Sequence, residues 1–111
     1  MDPISSALIA KALDGLSMRY QATAENIANA NSRGYRPVRV SFEGALKEAA
    51  GQGTAAIRGV RPEIVHAASV GEVRLDLELA TAAETANRYA ALIDLLGRQA
   101  QIARTVVSGG Q

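Results

Sequence analysis

The sequence predicts a mainly α-helical protein, in which two long terminal amphipathic helices pack in a coiled-coil-like manner. An irregular middle segment joins them, and in it we expect up to two short β-strands. Apolar residues recur at intervals of three and four near both ends, whereas proline and glycine concentrate between the ends. Aromatic residues make up only 4% of the chain, which favours narrow contacts between helices over a wide globular core.

The N-terminal helix is predicted to begin at Pro3. Asp2 can cap it with a side-chain oxygen, and proline suits the first helical position because its missing N–H has no partner there. Residues 29–34 favour left-handed backbone and local hydrogen bonds, so the helix should end near residue 30. One apolar stripe runs along this helix as a packing seam. Its members are Ile9, Leu13, Leu16, Tyr20, Thr23, Ile27 and Ala30.

The middle segment is predicted to span residues 35–75 and to be irregular, because it holds Pro37, Pro62 and several glycines. The alternating run Val38–Phe42 predicts a short strand within it. The sequence Gly51-Gln52-Gly53 is expected to be its most flexible point, because nearby glycines leave the backbone unrestrained.

The C-terminal helix is the clearest pattern in the chain, with Asp76 as the expected cap and Glu78 in the first turn. The sequence Ser108-Gly109-Gly110 supplies a stop, so that we expect about 30 residues and about 45 Å. Its seam has the spacing of a coiled coil. The members are Leu79, Ala82, Ala86, Tyr89, Ile93, Leu96, Ala100, Ala103 and Val107.

Both seams could pair within the chain or between copies of it, and the periodicity does not choose between these arrangements. An alanine-rich seam buries little apolar area per residue, so we expect packing in an oligomer to complete the fold. Residues 1–34, 35–75 and 76–111 are expected to form one structural unit: an N-terminal helix with its junction, the middle segment and the C-terminal helix.

Composition argues against several classes of function. A net charge of +1 gives nucleic-acid binding no electrostatic support. Without cysteine, and with His66 as the one histidine, the sequence predicts no catalytic set, metal site or cofactor site. The longest apolar run near the start, Ala7–Ala10, is too short for a cleaved signal peptide or a membrane insertion. An enzyme is therefore the least favoured interpretation.

The sequence Asn26-Ile27-Ala28-Asn29 near the end of the N-terminal helix is followed, after a predicted turn, by Gly34-Tyr35. This segment resembles the signature of the flagellar rod, hook and hook-associated axial proteins. That signature has an Asn-Ile-Ala-Asn core followed by a turn and Gly-Tyr. Here the core is residues 26–29, and Ser32-Arg33 replaces the usual Thr-Pro before the Gly-Tyr pair. The resemblance implies a junction motif made of Asn26, Ile27, Asn29, Asn31, Gly34 and Tyr35.

A further resemblance, to the short proximal-rod members of that family, rests on four stretches of the chain. These are Val38–Leu46, Leu75–Leu79, Arg88-Tyr89 and Leu92–Leu96. The resemblance implies a structural subunit of the flagellar basal body, in the periplasmic part of the drive shaft and exported unfolded by the flagellar type III apparatus. The implied partners are other rod proteins, the rod-to-ring adaptor, the inner-membrane ring and further copies of the chain.

Phe42 and Leu46 resemble the short hydrophobic motif by which early rod and hook substrates dock at the export gate. The competing interpretation, which we favour, is that both residues pack a short element onto the terminal helices. Two other functions also remain open. The family has two short proximal-rod proteins, and the chain could be the one that it resembles less. It could also be a small helical adaptor or regulator that binds a partner through its C-terminal seam.

Overall fold

The computed structural model describes residues 1–69, 71 and 73–109, and within them it contains four helices and two strands. In chain order these are α1 (Pro3–Ala28), β1 (Val38–Ser41), α2 (Glu43–Ala50), α3 (Thr54–Arg58), β2 (Glu63–His66) and α4 (Leu75–Gly109). The predicted fold class is confirmed, because two long helices flank a middle segment with two antiparallel strands.

The start of α1 agrees with its local sequence. Asp2 accepts a hydrogen bond from the backbone N–H of Ser5 at 2.7 Å, and Pro3 occupies the first helical position. This is the N-cap that the sequence predicts. The helix ends at Ala28, two residues before the predicted end.

The start of α4 differs from the prediction. The helix begins at Leu75, and the N–H of Glu78 donates to the carbonyl of Arg74 at 2.9 Å. Asp76 therefore lies inside the first turn, where it pairs with Arg74, and its predicted role as the cap is wrong. The helix has 35 residues, about 52 Å, and its last described residue is Gly109; Gly110 of the predicted stop lies outside the described residues.

The middle segment contains more helix than the sequence predicts. β1 pairs with β2 in a two-stranded antiparallel sheet, with Val38 opposite His66 and Ser41 opposite Glu63. Between the strands lie α2 and α3, which the sequence analysis missed, and residues 51–53 form the turn that connects them. Gly53 adopts a φ of 103°, in the region that favours glycine.

α1 and α4 are antiparallel neighbours. Asn26 near the end of α1 contacts Glu78 near the start of α4, whereas Leu8 and Leu92 line one groove at the opposite end. The buried apolar cluster lies mainly between α1 and the middle segment, and Leu92 is the α4 side chain that packs against it among the described residues. Its buried members are Ala7, Leu16, Ala22, Val38, Val40, Phe42, Leu46, Ala49 and Ile57.

Gly15 of α1 is where the helix approaches the Phe42 ring most closely. A Cβ at Gly15 would lie 2.5 Å from two ring carbons, whereas a Cβ at Gly97, also inside a helix, would meet nothing within 4 Å. The two glycines therefore form a matched pair, because alanine improves helix propensity at both positions and causes a collision at only one of them.

We expect Gly15→Ala to lower the free energy of unfolding by about 1–3 kcal/mol, because the ring must move. Gly97→Ala should raise the free energy of unfolding by about 0.5–1 kcal/mol, because the gain in helix propensity is the only change at that position. Urea denaturation followed by circular dichroism measures both changes. Equal effects at the two positions would contradict the close approach of Gly15 and Phe42.

Candidate functional site

The segment that resembles the axial-protein signature forms the turn between α1 and β1. At the end of α1, the backbone N–H and the side-chain Nδ2 of Asn29 both donate to the carbonyl of Glu25, at 3.0 and 2.9 Å. The hydroxyl of Ser32 donates to Asn29 Oδ1 at 3.0 Å. Gly34 has a φ of 78°, which a side chain would disfavour. Local hydrogen bonds and one glycine thus reverse the chain.

Asn26 is the centre of the site and is completely buried. Its Nδ2 donates to the carbonyl of Val38 at 2.9 Å and to Glu78 Oε2 at 3.1 Å. Its Oδ1 accepts from the N–H of Val38 at 2.8 Å and from the hydroxyl of Tyr35 at 2.6 Å. One amide thereby uses both of its N–H groups and both lone pairs. It connects α1, the turn, β1 and α4.

Glu78 brings a carboxylate into this buried site, where its side chain is 3% exposed. Besides the bond from Asn26, its Oε1 lies 2.7 Å from the guanidinium of Arg39, which is 62% exposed and reaches in from β1. A buried carboxylate is tolerated when it is both paired and hydrogen-bonded, and both conditions hold here. We call Asn26, Tyr35, Val38, Arg39 and Glu78 the Asn26 hub.

The Tyr35 hydroxyl is held in its protonated, donating form. Partial burial raises the pKa of Tyr35, and the carboxylates of Glu25 and Glu78 raise it further. The phenol is protonated at neutral pH even at its ordinary pKa, and it donates a hydrogen bond to Asn26 Oδ1.

The six residues of the predicted junction motif differ in their contacts and in their burial. Asn26 and Tyr35 meet in the hub, whereas Asn29 and Gly34 shape the turn. Ile27 is half-buried, and Asn31 is exposed. The sequence analysis missed the two charged members of the hub, Arg39 and Glu78. A signal for the burial of Glu78 was present, because Glu78 is a single acid between two leucines in Leu77-Glu78-Leu79. The sequence analysis instead interpreted this acid as a charge that stabilises the start of the helix through the helix dipole.

A second polar cluster joins α1, α2 and α4. Arg19 donates to Glu43 Oε1 and to the carbonyl of Val40, both at 2.7 Å. Its guanidinium carbon also lies 4.8 Å from the centroid of the Phe42 ring, within reach of a cation–π contact. On the other side, Arg88 lies 3.6 Å from Glu43 Oε2. Glu43 therefore pairs with one arginine from each of the two long helices.

The Arg19 hydrogen bonds lower the pKa of Glu43 from 4.5 to about 2. A carboxyl whose pKa is lower in the folded state stabilises the fold above its unfolded pKa, and this contribution is lost as the pH falls. We expect the loss between about pH 4.5 and pH 2. Because the side chain is 45% exposed, the contribution should stay within about 1 kcal/mol.

The measurement is the free energy of urea unfolding at several pH values, for the wild type and for Glu43→Gln. The difference between the two proteins should shrink as the pH falls through this window. A difference that is constant from pH 6 to pH 2 would show that the pairing of Glu43 with Arg19 does not stabilise the fold.

Phe42 and Leu46 are 3% and 9% exposed and belong to the buried apolar cluster. The packing interpretation of this pair is therefore confirmed. Phe42 precedes α2 and Leu46 lies on it, so that both side chains insert beneath α1. In the folded chain they are inaccessible to a partner.

The predicted seam of α1 agrees in part with its buried face. Ile9 and Leu16 are buried, Leu13 and Ile27 are half-buried, and Tyr20 is 48% exposed. Tyr20 is therefore the member of this seam that faces away from the interior.

The predicted seam of α4 does not coincide with the face that packs within the chain. Its members Leu79, Ala86, Tyr89, Ile93 and Val107 are exposed, and Ala82 and Leu96 are half-buried. The buried residues of α4 are Glu78 and Thr85, each one position before a seam residue. One position turns a helix by about 100°. The apolar seam of α4 therefore lies largely on the surface, and the two buried side chains of the helix are polar.

The hub joins α1, β1 and α4 through buried hydrogen bonds and one ion pair. Within residues 1–69, 71 and 73–109, no three acidic or histidine side chains gather as a metal site would require. In the same part of the chain, every buried side-chain nitrogen or oxygen has a hydrogen-bond partner. No described helix has an apolar stretch of the length that a bilayer crossing needs.

No protein-family model matches the chain, and no curated protein matches it.

Proposed function

We propose that this protein is a structural subunit of the proximal rod of the bacterial flagellum, of the FlgB type, and that it has no enzymatic activity. The observation that carries the proposal is the exposed apolar seam of α4, on a chain in which a signature-like turn follows the other long helix, α1. Ile93 is 46% and Val107 is 67% exposed in this seam. An apolar seam of this length is suited to packing between subunits.

The Asn26 hub supports the same proposal. The residues that resemble the axial-protein signature hold α1, β1 and α4 together through buried hydrogen bonds. In a drive shaft that transmits torque, a rigid joint between the two long helices would keep each subunit from deforming. The proposed partners are further copies of the chain, other rod proteins, the rod-to-ring adaptor, the inner-membrane ring and, during secretion, the export gate.

The test combines genetics with isolation of the organelle. A deletion strain should lose motility and assembled rods, and mass spectrometry with immunolabelling of purified basal bodies should place the protein at the base of the rod. Normal rods in the deletion strain would refute the proposal.

A matched pair of variants tests the seam itself. Ile93→Lys places a charge in the exposed seam, and Asn87→Lys places the same charge on an exposed part of α4 outside it. Both proteins should fold as monomers, because neither position is buried. We expect only Ile93→Lys to abolish rod assembly.

The alternative that the same exposed seam favours is a small helical adaptor. Such a protein would form a stable cytosolic complex, disrupted by Ile93→Lys, and it would be absent from basal bodies. The other short proximal-rod protein is a further alternative, which the axial position found by immunolabelling would distinguish.

A further inference from the structure

Four of the buried or half-buried residues of α4 repeat at intervals of seven, and Thr81, Ala82 and Leu96 are half-buried as well. Glu78 and Thr85 are buried, and Leu92 and Gln99 are half-buried. Seven residues are two helical turns, so these four side chains lie on one side of α4. A shift of α4 by one such interval, about 10.5 Å along its axis, would bring Thr85 to the place of Glu78 and Leu92 to the place of Thr85.

Apart from Leu92 and Tyr89, the apolar contacts of α4 discriminate poorly between these two registers. Leu92 packs against the buried apolar cluster, and Gln99 would take its place after the shift. The other α4 residues that line grooves beside α1 include the small side chains Ala86, Ala90 and Ala91. Small side chains make similar contacts after a shift, because they offer little shape to be matched.

The Asn26 hub does discriminate between the registers. In the observed register, the carboxylate of Glu78 accepts from Asn26 Nδ2 and pairs with Arg39. A threonine in its place has no charge and a shorter side chain, so that the Asn26 amide and the Arg39 guanidinium would both lose a partner. Single buried polar contacts between helices are known to specify register in this way.

We propose that the Asn26 hub sets the register of α4 on α1, and that Glu78 is the residue that selects it. Glu78 is in this sense a positioning residue: it determines where along α1 the exposed seam of α4 is presented. The inference concerns the isolated chain and does not depend on the proposed function.

The experiment measures the register directly. The chain has no cysteine, so Gln21→Cys and Ala90→Cys introduce a unique pair of spin labels. Both positions are exposed and line one groove between α1 and α4. Pulsed electron spin resonance, with the labelled protein diluted in unlabelled protein, gives the distribution of distances within one chain. The parent protein should show a single population.

Two variants test Glu78. In Glu78→Leu, displaced distances should account for about a tenth or more of the molecules, because the selecting contact is gone. In the exchange variant Glu78→Thr with Thr85→Glu, the main population should move to the register shifted by one seven-residue interval. Thr85→Val is the matched control, since it alters the next buried residue of the same row and should keep the parent distance.

The proposal is overturned if Glu78→Leu and the exchange variant both keep the single parent distance. Circular dichroism of the same samples supplies the other decisive readout. A loss of helix content in these two variants, with Thr85→Val unaffected, would also overturn the proposal, because Glu78 would then be required for helix docking and would not select among registers.

Discussion

Replacing Asn26 by alanine should lower the free energy of unfolding by about 3 kcal/mol or more. The substitution removes four hydrogen bonds at once and leaves the N–H of Val38, the hydroxyl of Tyr35 and one oxygen of Glu78 without their partner. Each buried polar group left in this state costs about 1–3 kcal/mol. A domain of this size has only about 5–15 kcal/mol of stability, so the loss would be severe.

Asn31→Ala is the control for this prediction, since Asn31 is an exposed asparagine in the same turn. Its effect should stay within about 0.5 kcal/mol. Urea denaturation followed by circular dichroism measures both variants. If Asn26→Ala were as mild as Asn31→Ala, the hub would contribute little to the stability of the fold.

Phe42→Ala should be similarly damaging, with an expected loss of about 3–5 kcal/mol. The ring is 3% exposed, lies against Gly15 of α1 and is covered by the Arg19 guanidinium. Truncation removes the large apolar surface and leaves a cavity between α1 and α2 that neither helix backbone can easily fill. The thermal midpoint and the urea midpoint should both fall.

Tyr20→Ala provides the aromatic control, because Tyr20 lies on α1 but is 48% exposed. It should cost less than half as much as Phe42→Ala. A second check uses Gly15→Ala in the Phe42→Ala background, where the collision with the ring no longer exists. The alanine should then be tolerated, as expected for two residues in direct contact. Additive losses would show that the two residues do not touch.

The terminal helices could be predicted because their determinants are local. The side chain of Asp2 caps the backbone three residues away, and Pro3 fixes the first turn. Spacing of apolar residues identifies a helix whatever it packs against. The end of α1 was predicted within two residues for the same reason, since Asn29 and Gly34 act on their own neighbourhood.

The two short middle helices could not be predicted in this way. α2 and α3 have 8 and 5 residues. Gly51 follows α2, and Gly53 and Gly59 border α3, so that the local sequence indicates a loop. They are held by tertiary contacts, chiefly through Leu46 and Ile57, which insert into the buried apolar cluster. Helices this short owe their stability to packing, which spacing along the sequence does not reveal.

Only part of the candidate site could be predicted from the sequence. The resemblance pointed to Asn26 and Tyr35, but the partners of Asn26 on β1 and α4, Val38 and Glu78, lie 12 and 52 residues further along the chain. Periodicity indicated a helix over α4 but did not show which face packs against α1. The buried residues of that face are Glu78 and Thr85, and their burial depends on contacts that only the fold creates.

The uneven burial of α4 has a consequence for its motion. Near its start, α4 is held by the contacts of Glu78 with Asn26 and Arg39. Residues 100–109, by contrast, are exposed throughout. Helices without tertiary contacts are marginal in water, so the final turns should open by fraying, without unfolding of the rest. Amide hydrogens of α4 should accordingly exchange in a gradient, slowest beside the hub and progressively faster toward Gly109.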